Sequence, residues 1–509
     1  MPNDGYRYVW KSKRDMTAAL WADCASLFSG HYGLWGEGGR RPGKQISLSA
    51  ERVAEFMPDE GWVVMAREGE TLVGYALGIR HVVNGCGTVD WVTQLVVHTA
   101  HRNKGVATWL LFTFWGFSDH HAWGLVTSNP YAVRALERIT HRRCYPAEIE
   151  AHQGELDEVG REIPYVQGKR MSFGPERSAI QTEFYISHAL LPGKLEAVKK
   201  TGAWRLGTIG EGEEWLAFTF RDQGTETLSP EDLETMLKHS EKTAQLAYER
   251  MAPGPLQVWT KYTQAEAEFA VDAAGLHPGA KVLDLGCGGG RHTLALARLG
   301  FQVTGLDFVE SAVHQAEAAA RQEGLANASF VVGDARAMEA DLGLFDAVLC
   351  LYDVVGSFPE QADNQALVAT IARCLKPGGK ALVSVLNMHL TRKLARHVAS
   401  VRATPDALQR LRPSSTMQTT GAIFNPDFYL LDDETGVVYR KEQFDGDGKP
   451  PAEFVVRDRR YTQGDITRMC EEAGLRLCWQ RPVPLGSWRT ELEPEDDRAK
   501  ELLFLVEKP

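Results

Sequence analysis

Between residues 278 and 386 the chain alternates apolar runs with helical patterns in a fixed order: KVLDLGC, a helix, FQVTGLD, a helix, ASFVVGD, FDAVLCLY, a helix and KALVSVL. Strands separated by helix-length connections pair in parallel through right-handed crossovers, so this order predicts a parallel sheet with helices on both faces. Inside it, the run ending at Asp284 passes into Gly286, Gly288, Gly289 and Gly290, and a helix is expected to begin near His292. Glycine permits positive φ and leaves no Cβ between the backbone and a bound molecule, so this loop is shaped for close approach by a ligand. The next run ends in Asp307, 23 residues after Asp284. At about that spacing an α/β nucleotide-binding unit places a carboxylate on ribose hydroxyls.

A chain of 509 residues exceeds one ordinary core and predicts two or three domains. A second patterned region, from about 60 to 140, holds the strand-like runs WVVMA, LVGYALGI and VDWVTQLVV, with a helical run after Gly105. FYISHALLPGKLEAVKK and EEWLAFTFRD read as further strands and a helix completing this part. The polar stretch DQGTETLSPEDLETMLKHSEK, with Ser229-Pro230 opening a helical pattern, is the expected connection, which sets domains at 1–225 and 241–509 with a linker at 226–240. From about 425 to 461, two or three antiparallel strands with Gly/Asp turns are expected as an insertion after the fifth strand of the parallel sheet.

Asp284-Leu285-Gly286-Cys287-Gly288-Gly289-Gly290 resembles motif I of the class I S-adenosylmethionine-dependent methyltransferases rather than a dinucleotide fingerprint. The likeness continues in Asp334-Ala335, in the fourth strand Phe345 to Cys350, and in the turn Leu375-Lys376-Pro377-Gly378-Gly379. It implies a Rossmann-like domain with S-adenosylmethionine as cofactor. The cofactor residues it implies are Asp284, Gly286, Cys287, Gly288 and Gly290, then Asp307 with Phe308, Asp334 with Ala335 at the adenine, and Leu351. Such chemistry needs a nucleophile, a methyl group and a sulfur held in line, and in some cases a base. Tyr352, Asp353 and His389 follow strand ends, where ligands bind in this fold, and are the catalytic candidates. Asp353 as a helix cap, Tyr352 as packing on the adenosine and His389 as a rim residue are the alternatives. Tyr352 to Phe358 departs from the Asn/Asp-Pro-Pro-Tyr pattern of amide and adenine methyltransferases, which points to a small-molecule acceptor with amine, hydroxyl and carbon nucleophiles all open. Tyr429, Arg440 and Arg460 are polar candidates in the insertion.

Residues 95–107, LVVHTAHRNKGVA, resemble motif A of the GCN5-related N-acetyltransferases (GNAT), with Arg102, Gly105 and Ala107 at the family's fixed positions. The likeness implies an N-terminal GNAT-like α/β domain and a coenzyme A pyrophosphate held by Arg102, Asn103, Lys104, Gly105, Val106 and Ala107 at a helix start. It also implies main-chain groups of Leu95 and Val97 on the pantetheine, and Asn129 opening the later Asn-x-x-Ala motif. The family's usual tyrosine acid falls on Leu136, and its usual glutamate base on Thr93 or Gln94. His98, His101, Thr93 and Tyr131 are the substitutes available. Two readings stay open: a methyltransferase fused to an acyltransferase using acetyl-CoA or another acyl-CoA, or a methyltransferase whose GNAT-like part senses CoA or holds the substrate.

With 56 basic against 67 acidic residues the net charge is −11, which disfavours nucleic acid as the main partner. No apolar run reaches membrane-spanning length and the N-terminus lacks a signal-peptide core, so a cytoplasmic protein without a membrane partner is expected. The eight cysteines are scattered, with no CxxC pair and no histidine at zinc-ligand spacing, so no metal site is expected.

Overall fold

A computed structural model of the chain describes residues 5–226, 229–250, 258–338, 342–395, 403–414, 422–442 and 453–509. The chain divides into two compact units. The first covers the described residues up to Thr243 together with Glu453 and Phe454; the second covers the rest from Ala244.

In the first unit, β1 (Tyr6–Ser12), β2 (Trp62–Glu68), β3 (Thr71–Val83), β4 (Gly87–Val97), β5 (Ala122–Thr127), β6 (Met171–Gly174), β7 (Arg177–Gln181) and β8 (Glu213–Phe220) form one sheet in the order β1-β2-β3-β4-β5-β8-β7-β6. Trp91, Trp115, Trp123 and Trp215 are fully buried in its core. β4 and β5 are its parallel pair, and their pairing stops at Val92↔Leu125. β4 runs on to Val97 paired only with β3, after an irregularity opposite Leu77 and Gly78. The two strands therefore part and leave one edge of β4 without a strand neighbour among the described residues.

The second unit has β9 (Lys281–Leu285), β10 (Gln302–Asp307), β11 (Ala328–Val332), β12 (Phe345–Cys350) and β13 (Leu375–Leu386). Its later strands are β14 (Pro413–Ser414), β15 (Tyr429–Asp432), β16 (Val437–Glu442), β17 (Phe454–Arg459, in this unit from Val455), β18 (Arg476–Val483) and β19 (Glu501–Glu507). The main sheet runs β11-β10-β9-β12-β13-β19-β18, parallel through β13 and antiparallel where β19 and β18 complete the edge. Strand alternation divides its side chains between two cores. Leu283, Leu285, Val348 and Phe504 face the helices Gln361–Cys374 and Gln463–Glu472, and Val282, Ala347, Leu349 and Leu503 face Thr263–Ala274 and Arg291–Arg298. The expected α/β class and doubly covered sheet are thus present.

The insertion after β13 forms a small sheet in which β15 and β16 pair antiparallel, with β17 also on β16. It gains β14, which pairs in parallel with β16 and lies upstream of the expected stretch. The expected Gly/Asp turn at 443–452 lies outside the described residues.

The linker reading of 226–240 is corrected. Ser229 does open a helix (Pro230–Arg250), accepting from Asp232 N at 3.1 Å, but as far as Thr243 that helix is part of the first unit. His239 stacks on Trp109 at 4.5 Å and bonds Thr113 Oγ1 at 3.0 Å, while Met236, Leu237, Ser240 and Thr243 are buried. A polar composition hid an apolar stripe at helical spacing.

Candidate active site and coenzyme cleft

The strand order of the second unit reverses between β9 and β12, and in open α/β sheets a ligand binds beyond the strand ends at that switch point. The loop after β9 holds its shape through its own backbone: Gly286 N and Cys287 N donate to Leu306 O at 2.8 and 3.0 Å, and Gly290 N to Cys287 O at 2.9 Å. Gly286 has φ +80°, and a Cβ there would lie 2.5 Å from Val354 Cγ2. Gly288 also has positive φ (+51°), yet beyond their chain neighbours neither it nor Gly289 has an atom of the described residues within 4 Å of where a Cβ would stand. The loop is closed on its sheet side and open above.

Asp284 faces inward, accepting from Thr293 N and Oγ1 at 3.0 and 2.7 Å, so it braces the start of helix Arg291–Arg298. The Cys287 side chain is buried, and burial raises its thiol pKa well above the ordinary value, so main chain alone faces the open side of the loop. Asp307, 8 % exposed, accepts from Gly288 N at 2.8 Å and Val309 N at 2.9 Å, one bond per carboxylate oxygen. Burial raises its pKa against the lowering effect of those two donors. A carboxylate has about four lone-pair sites, so half its accepting capacity is left. Phe308 beside it is 46 % exposed, unusual for so large an apolar ring. Asp334 is bound to Arg336 through both oxygens, and those bonds hold its carboxyl below the usual range; Arg336 also reaches Asp363 at 3.1 Å. Ala335 and Leu351 are buried.

After β12, Tyr352 (φ +61°) and Asp353 (φ +65°) both occupy the left-handed region, a conformation that costs about 1–3 kcal/mol per residue and collects at functional sites. Their partners hold them there. Tyr352 N donates to Ser384 Oγ at 2.7 Å and Asp353 N to Ser384 O at 3.3 Å. The Tyr352 hydroxyl donates to Glu266 Oε1. Glu266, only 1 % exposed, also accepts Arg291 Nη1 at 2.7 Å and meets His292 Nε2 at 2.9 Å. Burial works to raise the Glu266 pKa, but these donors together hold it below its ordinary value. The Arg291 guanidinium lies 4.3 Å from the Tyr352 ring centre, and its Nη2 is buried without a hydrogen-bond partner among the described residues. Trp488 closes the aromatic side and donates to buried Glu501, which burial pushes up to about 7.

Asp353 accepts from Leu386 N at 3.0 Å and from Arg460 Nη1 at 2.6 Å, and burial raises its pKa to about 7 despite the arginine. Arg460 continues to Asp458 at 3.0 Å, and Asp458 to Arg440 at 2.7 Å. Arg440 and Arg460 thus tie the inserted sheet to the end of β12 as one buried ion network, and Tyr429 is occupied by Thr391 O at 2.7 Å. His389, two residues past Asn387 at the end of β13, is half-buried, and its imidazole has no hydrogen-bond partner among the described residues. Sequence reasoning missed Glu266, Arg291, Trp488 and Glu501, which come from two helices, the β18–β19 connection and β19 and share no spacing.

In the first unit, the divergence of β4 and β5 opens a cleft of about 450 Å³ lined by Leu95, Val97, Arg102, Asn103, Gly105, Val106, Ala107 and Asn129. Lys104 is exposed and outside that lining. His98 N donates to Val73 O, so by alternation the main-chain groups of Leu95 and Val97 point away from β3. Arg102 turns back instead of reaching out: its Nε donates to Val97 O at 3.3 Å and its Nη2 to His31 O, which locks the turn before helix Val106–Trp115. Asn129 caps helix Pro130–Thr140 through Tyr131 N at 3.3 Å. Leu136 is buried, Gln94 accepts the Tyr75 hydroxyl and Thr93 bonds Leu77 O at 3.4 Å, so the family's acid and base positions carry no free group. Lys194 and His188, whose Nε2 is buried without a partner among the described residues, are among the cleft residues that escaped sequence reasoning.

Residues 282–379 match the family described as "Methyltransferase domain", and residues 25–139 match the "Acetyltransferase (GNAT) family". The ubiquinone biosynthesis O-methyltransferase of Coxiella burnetii is 33% identical over 178 residues, covering 33% of this chain and 71% of that protein. The protein of the same description from Idiomarina loihiensis is 32% identical over 181 residues, covering 32% of this chain and 73% of its own. Among solved structures, the CcbJ methyltransferase from Streptomyces caelestis covers 52% of this chain and 94% of its own, with 18% identity and a TM-score of 0.38.

Proposed function

The chain belongs to the S-adenosylmethionine-dependent methyltransferases and carries a GNAT-family domain ahead of the methyltransferase domain, and on that footing we propose that it methylates a hydroxyl of a small molecule while its first unit binds an acyl-CoA. The observation that carries the methyl-transfer reading is the meeting, at one switch point, of an open glycine loop, a half-satisfied Asp307 and the Tyr352–Glu266–Arg291 cluster. When bound, S-adenosylmethionine supplies an electrophilic methyl on a positive sulfur.

The chain's own residues do the rest. Asp307 accepts the ribose hydroxyls with its remaining lone pairs, Phe308 covers the base, and the unspent Nη2 of Arg291 suits a carboxylate. Tyr352 keeps its proton, since burial raises its pKa well above the ordinary value, and so positions Glu266 rather than acting as a base. Asp353 anchors the insertion. His389 is left to take the proton of the acceptor hydroxyl. An oxygen acceptor is supported by the relatives described as O-methyltransferases. The test is a screen of metabolites for the gain of one methyl mass with enzyme and cofactor. No gain for any hydroxyl compound, with cofactor binding intact, defeats the acceptor assignment.

For the first unit the proposal is acyl-CoA binding, and the family's usual acid and base positions carry no free group. Stabilisation by CoA without acyl turnover is the expected result, and sustained acyl transfer overturns it. Among the described residues no helix is long and apolar enough to cross a membrane. A cytoplasmic site of action without nucleic acid partners is part of the proposal, supported by the charge of −11.

A further inference from the structure

We propose that Cys86, His121 and Glu155 of the first unit form a divalent-cation site, best suited to zinc, beside the end of the β4–β5 pair remote from the coenzyme cleft. Cys86 sits in the tight turn between β3 and β4, flanked by Gly85 and Gly87, both with positive φ. His121 immediately precedes β5, and Glu155 lies in the first turn of helix Gln153–Gly160. One donor atom from each lies within 4.8 Å of the other two, and Cys86 Sγ is 3.6 Å from Glu155 Oε1. The residues stand 35 and 34 positions apart, so no ligand motif exists in the sequence and only the fold assembles the set.

A second observation points to a ligand. His121 is 6 % exposed, and its Nε2 is buried with no hydrogen-bond partner among the described residues, an arrangement proteins rarely leave in place. A thiolate, an imidazole and a carboxylate are the donor types zinc prefers, and three protein ligands leave a fourth position for water. Zinc bonds of about 2.0–2.3 Å set tetrahedral ligand atoms about 3.3–3.8 Å apart, within reach of side-chain rotation from the present spacing. The outer shell is present too: His152 Nδ1 lies 3.3 Å from Glu155 Oε1, and its ring stacks on Phe220 at 4.1 Å, which orients the carboxylate. Binding replaces the Cys86 thiol proton, which leaves to solvent, and involves no change of oxidation state. The parallel pairing of β4 with β5 begins at Val89↔Ala122, next to His121, so the cation would staple the hairpin turn, the start of β5 and the helix together.

The full-length, metal-stripped protein is titrated with Co²⁺ and then Zn²⁺. One equivalent of Co²⁺ is expected to give a thiolate-to-cobalt charge-transfer band that Zn²⁺ abolishes, and Zn²⁺ is expected to raise the melting temperature. Cys86→Ser should remove the band, while Cys478→Ser, at the exposed thiol, should leave it. Glu155→Gln, on a partly exposed residue that leaves the buried imidazole in place, should weaken zinc binding at least about tenfold with unchanged circular dichroism. No band in the wild type, a band that survives Cys86→Ser, or zinc affinity unaffected by Glu155→Gln each overturns the site.

Discussion

Replacing Asp307 by asparagine keeps the shape of the side chain and removes its charge. The carboxylate holds two backbone N–H groups, Gly288 at 2.8 Å and Val309 at 2.9 Å. Each bond to a charged acceptor contributes about 1.5–3 kcal/mol. Asparagine keeps one acceptor and turns its amide N–H₂ toward the other donor, so one bond is lost outright. Part of that loss is offset, because the buried carboxylate no longer has to be stripped of water, the effect that raises its pKa. A net destabilisation of about 1–2 kcal/mol follows. For the cofactor, the charge-assisted bonds to two hydroxyls become neutral ones, a loss of about 1.5–3 kcal/mol, or roughly 10–100-fold in affinity. Calorimetric titration of S-adenosylmethionine into both proteins reads this directly, with CoA titration as the control for global damage. An asparagine variant that binds S-adenosylmethionine within about twofold of wild type refutes the role given to Asp307.

Three further outcomes are expected. Glu214, buried on β8 and bonded to Thr182 Oγ1 at 2.9 Å, is raised by burial from 4.5 to about 7. The folded state therefore binds its proton more tightly than the unfolded chain; this contribution is full below pH 4.5 and falls away up to about pH 7, by about 3 kcal/mol in all. Glu214→Gln should match wild type in thermal melts at pH 4.5 and exceed it at pH 8, and parallel pH profiles would contradict this. Arg460→Leu strands Asp353 in a buried site; breaking such a pair costs about 3–5 kcal/mol, somewhat less here because Arg440 still holds Asp458, and an unchanged melting temperature would show the network to be idle. Arg102→Ala, by freeing Val97 O and unlocking the turn, should weaken CoA binding by about tenfold and leave S-adenosylmethionine affinity unaltered; equal losses for both would indicate unfolding instead.

The alternation of strands and helices, the glycine loop, the acidic end of β10 and the basic turn before Val106 were all readable from residue order, because each depends on periodicity or on turn chemistry within a few residues. The same local logic found the start of the helix at Ser229 and still misjudged what followed as a linker, since burial of Met236 and His239 depends on Trp109 and Thr113, more than a hundred residues upstream. It named Asp353, Arg440 and Arg460 separately but could not join them into one network. Nor could it find Glu266 beneath Tyr352, or bring Cys86 to His121 and Glu155. The glycine loop and Asp307 were legible because backbone conformation is written over short stretches of sequence. The partners of buried charges and thiols were decided only by the tertiary structure, because the low-dielectric interior makes each buried polar group depend on whichever distant side chain packing brings to it.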